Sequence, residues 1–147
     1  MDNQQVFITK LDDRAVLPVY ASPGAAGADL CALLDSPVVL QPGETVFIPT
    51  GLALAIVPGY VGLVCARSGL SCKKGIAPAN KVGVIDPDYR GELKVALLNH
   101  SRSPYTVQPG DRIAQLLILP CPQARFILTD RLPTSDRGAG GFGSTGT

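Results

Sequence analysis

Short apolar runs broken by Pro-, Gly- and Asp-rich turns recur along the chain at a spacing of roughly 8–12 residues, the rhythm of strands crossing a double sheet or barrel. The runs predict strands near residues 6–8, 16–19, 38–40, 45–48, 52–56 and 60–65. Further strands are predicted near 82–85, 92–99, 105–107, 113–119 and 125–128. The segment Glu92-Leu93-Lys94-Val95-Ala96-Leu97 shows the cleanest alternation, one face for a core and one for solvent. Gln41-Pro42-Gly43-Glu44 recurs as Gln108-Pro109-Gly110-Asp111, and Val57-Pro58-Gly59-Tyr60 is a third turn of the same kind. Pro followed by Gly suits a type II turn, in which Gly takes the position of positive φ. One helix is predicted, barely two turns long: Ser68 can cap it, Lys73 and Lys74 fall in its last turn, and Gly75 fits the left-handed position beyond it. About eleven short strands in one domain predict an all-β fold, a jelly roll or related double β-sheet.

Composition supports that reading and narrows the partners. The chain has 147 residues, enough for one self-sufficient core, and it is 46% hydrophobic and 17% charged, which excludes a disordered chain. Sixteen Gly and thirteen Pro against no Trp and one Met fit many turns and few helices. A net charge of +1 offers no electrostatic case for a nucleic-acid binder. No apolar run approaches the length of a membrane span. The N-terminal segment MDNQQVFITKLDDR has early acids and no apolar signal core. The expectation is a cytoplasmic protein with reduced thiols and neither nucleic acid nor membrane as partner. Cys31, Cys65, Cys72 and Cys121 match no zinc spacing, and His100 is the only histidine. Past Pro133 the apolar pattern stops, so the chain divides into a β domain over 1–132 and a Gly-rich, flexible C-terminal lid over 133–147.

Two segments could carry chemistry. Ala66-Arg67-Ser68-Gly69-Leu70-Ser71 joins a strand to the short helix, where backbone N–H groups and the Arg67 fork favour anions and Gly69 admits phosphate oxygens close to the chain. The same residues could equally be a capped helix and an arginine paired with some acid. In Val84-Ile85-Asp86-Pro87-Asp88-Tyr89-Arg90-Gly91-Glu92, Asp86 sits between a strand and a rigid proline, placed to act as a general base at a pocket mouth, or simply to make an Asx turn. Asp29 could lie near a magnesium ion, while Asp111 and Arg112 read as a structural pair beside a turn. Gly138-Ala139-Gly140-Gly141-Phe142-Gly143 matches GxGxxG formally, but no strand precedes it and no helix can follow, so a dinucleotide site is rejected. An aromatic among glycines, with Arg137 before it and hydroxyls after it, suits a lid over a phosphate ligand.

Together the segments AGADL (26–30), ARSGLS (66–71), NKVGVIDPDYRGE (80–92), GDRIAQL (110–116) and RGAGGFGSTG (137–146) resemble, in order, the five motifs of the trimeric dUTPases. The resemblance implies hydrolysis of dUTP to dUMP and pyrophosphate, limiting uracil in DNA and supplying dUMP for dTTP synthesis. It also implies a jelly-roll homotrimer whose active sites are shared between subunits. Asp86 would activate the water that attacks the α-phosphorus. Arg67, Ser68, Gly69, Gln115, Arg137 and Ser144 would hold phosphates. Asn80, Gly83, Val84, Ile85, Asp86, Tyr89, Lys94, Phe142 and Gly143 would bind uracil and deoxyribose, with Tyr89 against the sugar and Phe142 stacked on the base. Mg²⁺ would be held mainly by the triphosphate, touching Asp29 through water. A dCTP deaminase and a non-catalytic nucleotide-sensing module are the alternatives; the complete tail motif and the intact Asp86 weigh against them.

Overall fold

The computed structural model describes residues 5–141. Its elements, in chain order, are β1 (Phe7–Lys10), β2 (Val19–Tyr20), β3 (Ala28–Cys31), β4 (Val38–Leu40), β5 (Thr45–Ala55), β6 (Tyr60–Cys65), α1 (Ser68–Lys74), β7 (Ile76–Pro78), β8 (Val82–Ile85), β9 (Glu92–Asn99), β10 (Tyr105–Val107) and β11 (Arg112–Pro120). The strands form a four-stranded sheet β1-β5-β9-β7, a five-stranded sheet β2-β3-β11-β6-β8 and a ribbon β10-β4. Every pairing is antiparallel. Alternation along the strands sends Leu30, Leu40, Ile48, Val64, Leu93, Val95, Leu97, Val107 and Ile113 into one common core. Residues from all three sheets meet there, which is the double-sheet arrangement that the turn-and-strand rhythm predicts.

The Pro-Gly turns form as expected. Gly43, Gly59 and Gly110 have φ of 79°, 86° and 82°, and each turn closes with a backbone bond from its fourth residue to its first. In two of them the fourth side chain also accepts from the first N–H: Glu44 from Gln41 at 2.7 Å and Asp111 from Gln108 at 2.8 Å.

Other elements depart from the pattern. The two strands predicted at 45–48 and 52–56 are one strand, β5, because Gly51 at φ 68° shifts its register against β9 without ending it. Of the predicted 16–19 strand only Val19–Tyr20 forms, beyond Pro18. β3 and β7 carry too short an apolar run to announce themselves. No strand forms at 125–128: Phe126, Ile127 and Leu128 are 95%, 75% and 100% exposed, with no partner strand beside them. The helix is capped by Arg67 rather than Ser68, and no side chain makes a cap hydrogen bond; Ser68 is the first helical residue. Its other end is as predicted, with Lys73 and Lys74 in the last turn and Gly75 at φ 70°.

Candidate active site

The hairpin between β8 and β9 builds the first part of the site. β8 ends at Ile85, and Asp86 follows at the start of a turn closed by Tyr89 N–H to the Asp86 carbonyl at 3.2 Å. Arg90 braces that turn by donating from Nη1 to the carbonyls of Pro87 at 2.6 Å and Tyr89 at 2.9 Å. The Tyr89 hydroxyl donates to the Glu92 carbonyl at 2.9 Å, folding the ring back along the hairpin. The result is a cleft of about 380 Å³ lined by Val84, Ile85, Asp86, Tyr89 and Lys94, with Phe47, Glu92 and Leu93 completing the wall. Two carboxylates face it and they differ in kind. Glu92 is occupied, accepting from the Gly51 N–H at 3.0 Å and facing Lys94 Nζ at 3.4 Å. The Asp86 carboxylate is exposed and has no partner among the described residues. It makes no Asx turn.

Gly83 sits farther back along β8 and Asn80 lies in the turn before that strand; neither lines this cleft. A Cβ on Gly83 would stand 3.3 Å from Asn80 Nδ2, which places that amide beside the strand. Phe47 was not legible as a site residue, since only the register of β5 on β9, pairing Phe47 with Ala96, brings it to the hairpin.

The second part forms where β3, β11 and β6 run side by side. Gln115 in β11 pairs with Asp29 in β3 on one side and with Cys65 in β6 on the other, two residues before Arg67. Asp29, whose side chain is only 14% exposed, accepts from Arg67 Nε at 2.7 Å and from Arg112 Nη1 at 3.1 Å. Arg67 also donates to the Arg112 carbonyl at 3.1 Å. Arg112 therefore pairs with Asp29 across the sheet, not with its neighbour Asp111 as the sequence suggests: the Asp111 carboxylate is turned back to its own turn. Gln115 donates from Nε2 to the Ala66 carbonyl at 2.9 Å. It fits because residue 27 is glycine; a Cβ there would collide with Gln115 Oε1 and lie 3.0 Å from Cδ.

Two guanidinium groups on one carboxylate leave positive charge over, and it faces a cleft of about 280 Å³ lined by Arg67, Gly69, Leu70, Lys74, Tyr105, Asp111, Arg112 and Ile113. Burial, and secondarily Asp111, push the Tyr105 phenol above its usual range, and like any phenol it is a donor at neutral pH. Gly69 is exposed on the cleft wall, and Ser68 next to it in the chain is exposed but does not line the cleft. This is chemistry for an anion. It is not a metal cage: among the described residues no three His, Cys, Asp or Glu side chains converge, and both oxygens of Asp29 already serve arginines. With both its oxygens engaged, Asp29 could meet a cation only through that cation's water shell, with the direct ligands coming from elsewhere.

Within one chain the two parts are apart. β6 and β8 are antiparallel with Cys65 opposite Val82 and Gly62 opposite Ile85, so Arg67 leaves the pair at one end and Asp86 at the other. At least roughly 10 Å of strand separates them. The third expected part, the tail, lines neither cleft over residues 121–141. Arg137 Nε is turned to the Gly140 carbonyl at 2.7 Å, in its own turn. Phe142, Gly143 and Ser144 lie outside the described residues.

The dUTPase family model matches residues 13–146. A deoxyuridine 5'-triphosphate nucleotidohydrolase of Neisseria meningitidis serogroup A is 54% identical over 147 residues, covering 98% of both chains. One from Aeromonas salmonicida is 53% identical over 131 residues, covering 88% of this chain and 86% of that one. Among solved structures, a Staphylococcus bacteriophage 80alpha dUTPase with dUpNHpp aligns at a TM-score of 0.89 and 28% identity, covering 99% of this chain and all of that one. A variant dUTPase from phage phi11 of S. aureus, described with a coordinated structural Mg(II) ion, aligns at 0.80 and 26% identity over 88% of this chain and 99% of that one.

Proposed function

This chain belongs to the dUTPase family, and from that premise we propose that it hydrolyses dUTP to dUMP and pyrophosphate by attack of an Asp86-activated water on the α-phosphorus. The observation that carries the mechanism is the contrast between the two carboxylates of the hairpin cleft: Glu92 is spent on Gly51 and Lys94, while Asp86 is unpaired. Asp86 takes a proton from water as the water oxygen bonds to the α-phosphorus. The bond from that phosphorus to the bridging oxygen of the β-phosphate breaks, and pyrophosphate leaves. Phosphoryl transfer asks the protein mainly for positioning and charge stabilisation. Arg67, Ser68, Gly69 and Gln115 do this for the phosphate chain, with Arg137 and Ser144 closing on its end. Asp29 would face the water shell of a Mg²⁺ ion brought in by the triphosphate, and such an ion would supply charge neutralisation for the phosphate oxygens.

The base and sugar bind in the hairpin. Backbone groups of Gly83, Val84, Ile85 and Lys94, with the Asn80 amide, match the donors and acceptors of uracil, and Phe142 and Gly143 cover it. Cytosine reverses that pattern and leaves buried polar groups unpaired, which selects strongly against it. Tyr89 lies against the deoxyribose. The products serve a cytoplasmic nucleotide pool: less uracil for DNA, more dUMP for dTTP.

The separation of Asp86 from Arg67 supports a site assembled from several copies, as in a homotrimer in which hairpin, phosphate cleft and tail come from different subunits. The bare apolar groups of Phe126, Ile127, Leu128 and Leu132, each at least 75% exposed, are further support, since such a segment is ordinarily covered by a neighbour. The test is pyrophosphate release from dUTP, dTTP, dCTP and UTP side by side, with Asp86→Asn beside the wild type. Asp86→Asn is expected to lose at least roughly 10²-fold in turnover while still binding dUMP; near-normal turnover removes Asp86 from the mechanism. Mixing Asp86→Asn chains with chains cut after Asp136 should restore activity, and none in verified mixed oligomers would place base and lid in one subunit.

A further inference from the structure

Gly91 stands two residues beyond Tyr89, and its φ is not in the left-handed region, so conformation does not explain a glycine there. Space does. A Cβ at this position would collide with Tyr89 Oη and lie 2.7 Å from Cζ and 3.0 Å from Cε2. The tyrosine ring occupies the room that a side chain at 91 would take. Neither flank can move aside easily. Arg90 ties the turn to the Pro87 and Tyr89 carbonyls, and Glu92 is anchored to the Gly51 N–H at 3.0 Å. A methyl group at 91 would therefore drive the ring off the hairpin and break its 2.9 Å bond to the Glu92 carbonyl.

We propose that Gly91 is a positioning residue for substrate selection: the missing side chain sets the Tyr89 ring at the depth where it closes the cleft against a ribose 2′-hydroxyl. This rests on the reading that Tyr89 packs on the deoxyribose, so the experiment separates the two. The UTP-to-dUTP ratio of kcat/KM is measured for wild type, Tyr89→Ala, Gly91→Ala and the double variant, each with its melting temperature. An apolar wall distinguishes a hydroxyl by up to about 10², so each single variant should raise the ratio on the order of 10-fold. The double variant should match Tyr89→Ala alone, because Gly91 has nothing left to crowd. If Tyr89→Ala leaves the ratio unchanged, the sugar-wall reading fails and this proposal with it. If Tyr89→Ala raises the ratio and Gly91→Ala does not, or the two effects multiply, the positioning role alone is overturned. Should Gly91→Ala fail to fold, the double variant must fold; its failure would show that position 91 crowds something other than the ring.

Discussion

Asn99 is wholly buried and spends every hydrogen-bonding group it has: Nδ2 donates to the Leu40 and Ser103 carbonyls at 2.9 and 2.8 Å, and Oδ1 accepts from Ser101 N–H and hydroxyl at 2.9 and 2.7 Å. Asn99→Ala strands those partners and should cost about 2–3 kcal/mol, read as a lower urea midpoint. Asn99→Leu, closer in volume, should recover little of it. Gly27→Ala is expected to act differently. It displaces the Gln115 amide, so turnover should fall roughly 10-fold through lost positioning, with folding nearly intact; unchanged kinetics would mean Gln115 tolerates the shift. At the surface, Arg14 holds the Asp12 carboxyl down to about 2. A depressed carboxyl stabilises the fold above its unfolded value and loses that contribution as pH falls toward about 2. Both side chains are solvated, so the difference between wild type and Asp12→Asn should be small at pH 6, fade as pH falls through about 2 and shrink in high salt. Asp86 before its proline, the Arg67-Ser68-Gly69 turn and Asp29 all stood out as candidates in the sequence; that two arginines hold Asp29 did not, because they lie 38 and 83 residues away from it in sequence.

At the scale of elements, legibility followed the turns. Where Pro-Gly bounded an apolar run, as at β6 and β10, or alternation was clean, as at β9, the strand limits could be read directly. Gly51 misled because a left-handed residue usually ends a strand and here only bulges one. Its substitution is correspondingly severe: at φ 68° a Cβ would stand 2.5 Å from Leu33 Cδ2 and 3.0 Å from Ala15 Cβ. Backbone strain and overpacking together should cost Gly51→Ala about 2–4 kcal/mol in chemical denaturation. Lys81 is the opposite case, the only non-glycine among the described residues with positive φ, at 66°. Replacing it with Gly removes the left-handed penalty against some unfolded-chain entropy, a net gain of about 0.5 kcal/mol. A loss of stability there would mean the lysine side chain holds the turn between β7 and β8.

For the whole molecule, the segment after Pro120 is the feature that asks for a partner: Phe126, Ile127, Leu128 and Leu132 stand exposed along it. An apolar run was visible at 125–128, but a strand needs a partner, and no rule applied to one chain could supply one. If these side chains are covered by a second copy, Phe126→Glu with Leu128→Glu should yield monomers on sizing columns with an unchanged β signature in circular dichroism and almost no dUTP hydrolysis. Intact oligomers would place the interface elsewhere. The length of this segment has a consequence of its own. Extended chain covers up to roughly 3.3 Å per residue, so Arg137 can stand as much as about 56 Å from the last strand, a span that suits the proposed reach to another subunit's phosphate cleft. A group on such a leash is present at an effective concentration of around millimolar, whatever the dilution of the protein. If the tail is the lid proposed above, it can bind weakly and let product go, yet still close whenever a triphosphate is in place. A free peptide of residues 137–147 should replace it in the truncated chain only at millimolar concentration, and full turnover at micromolar peptide would show that the tether contributes nothing.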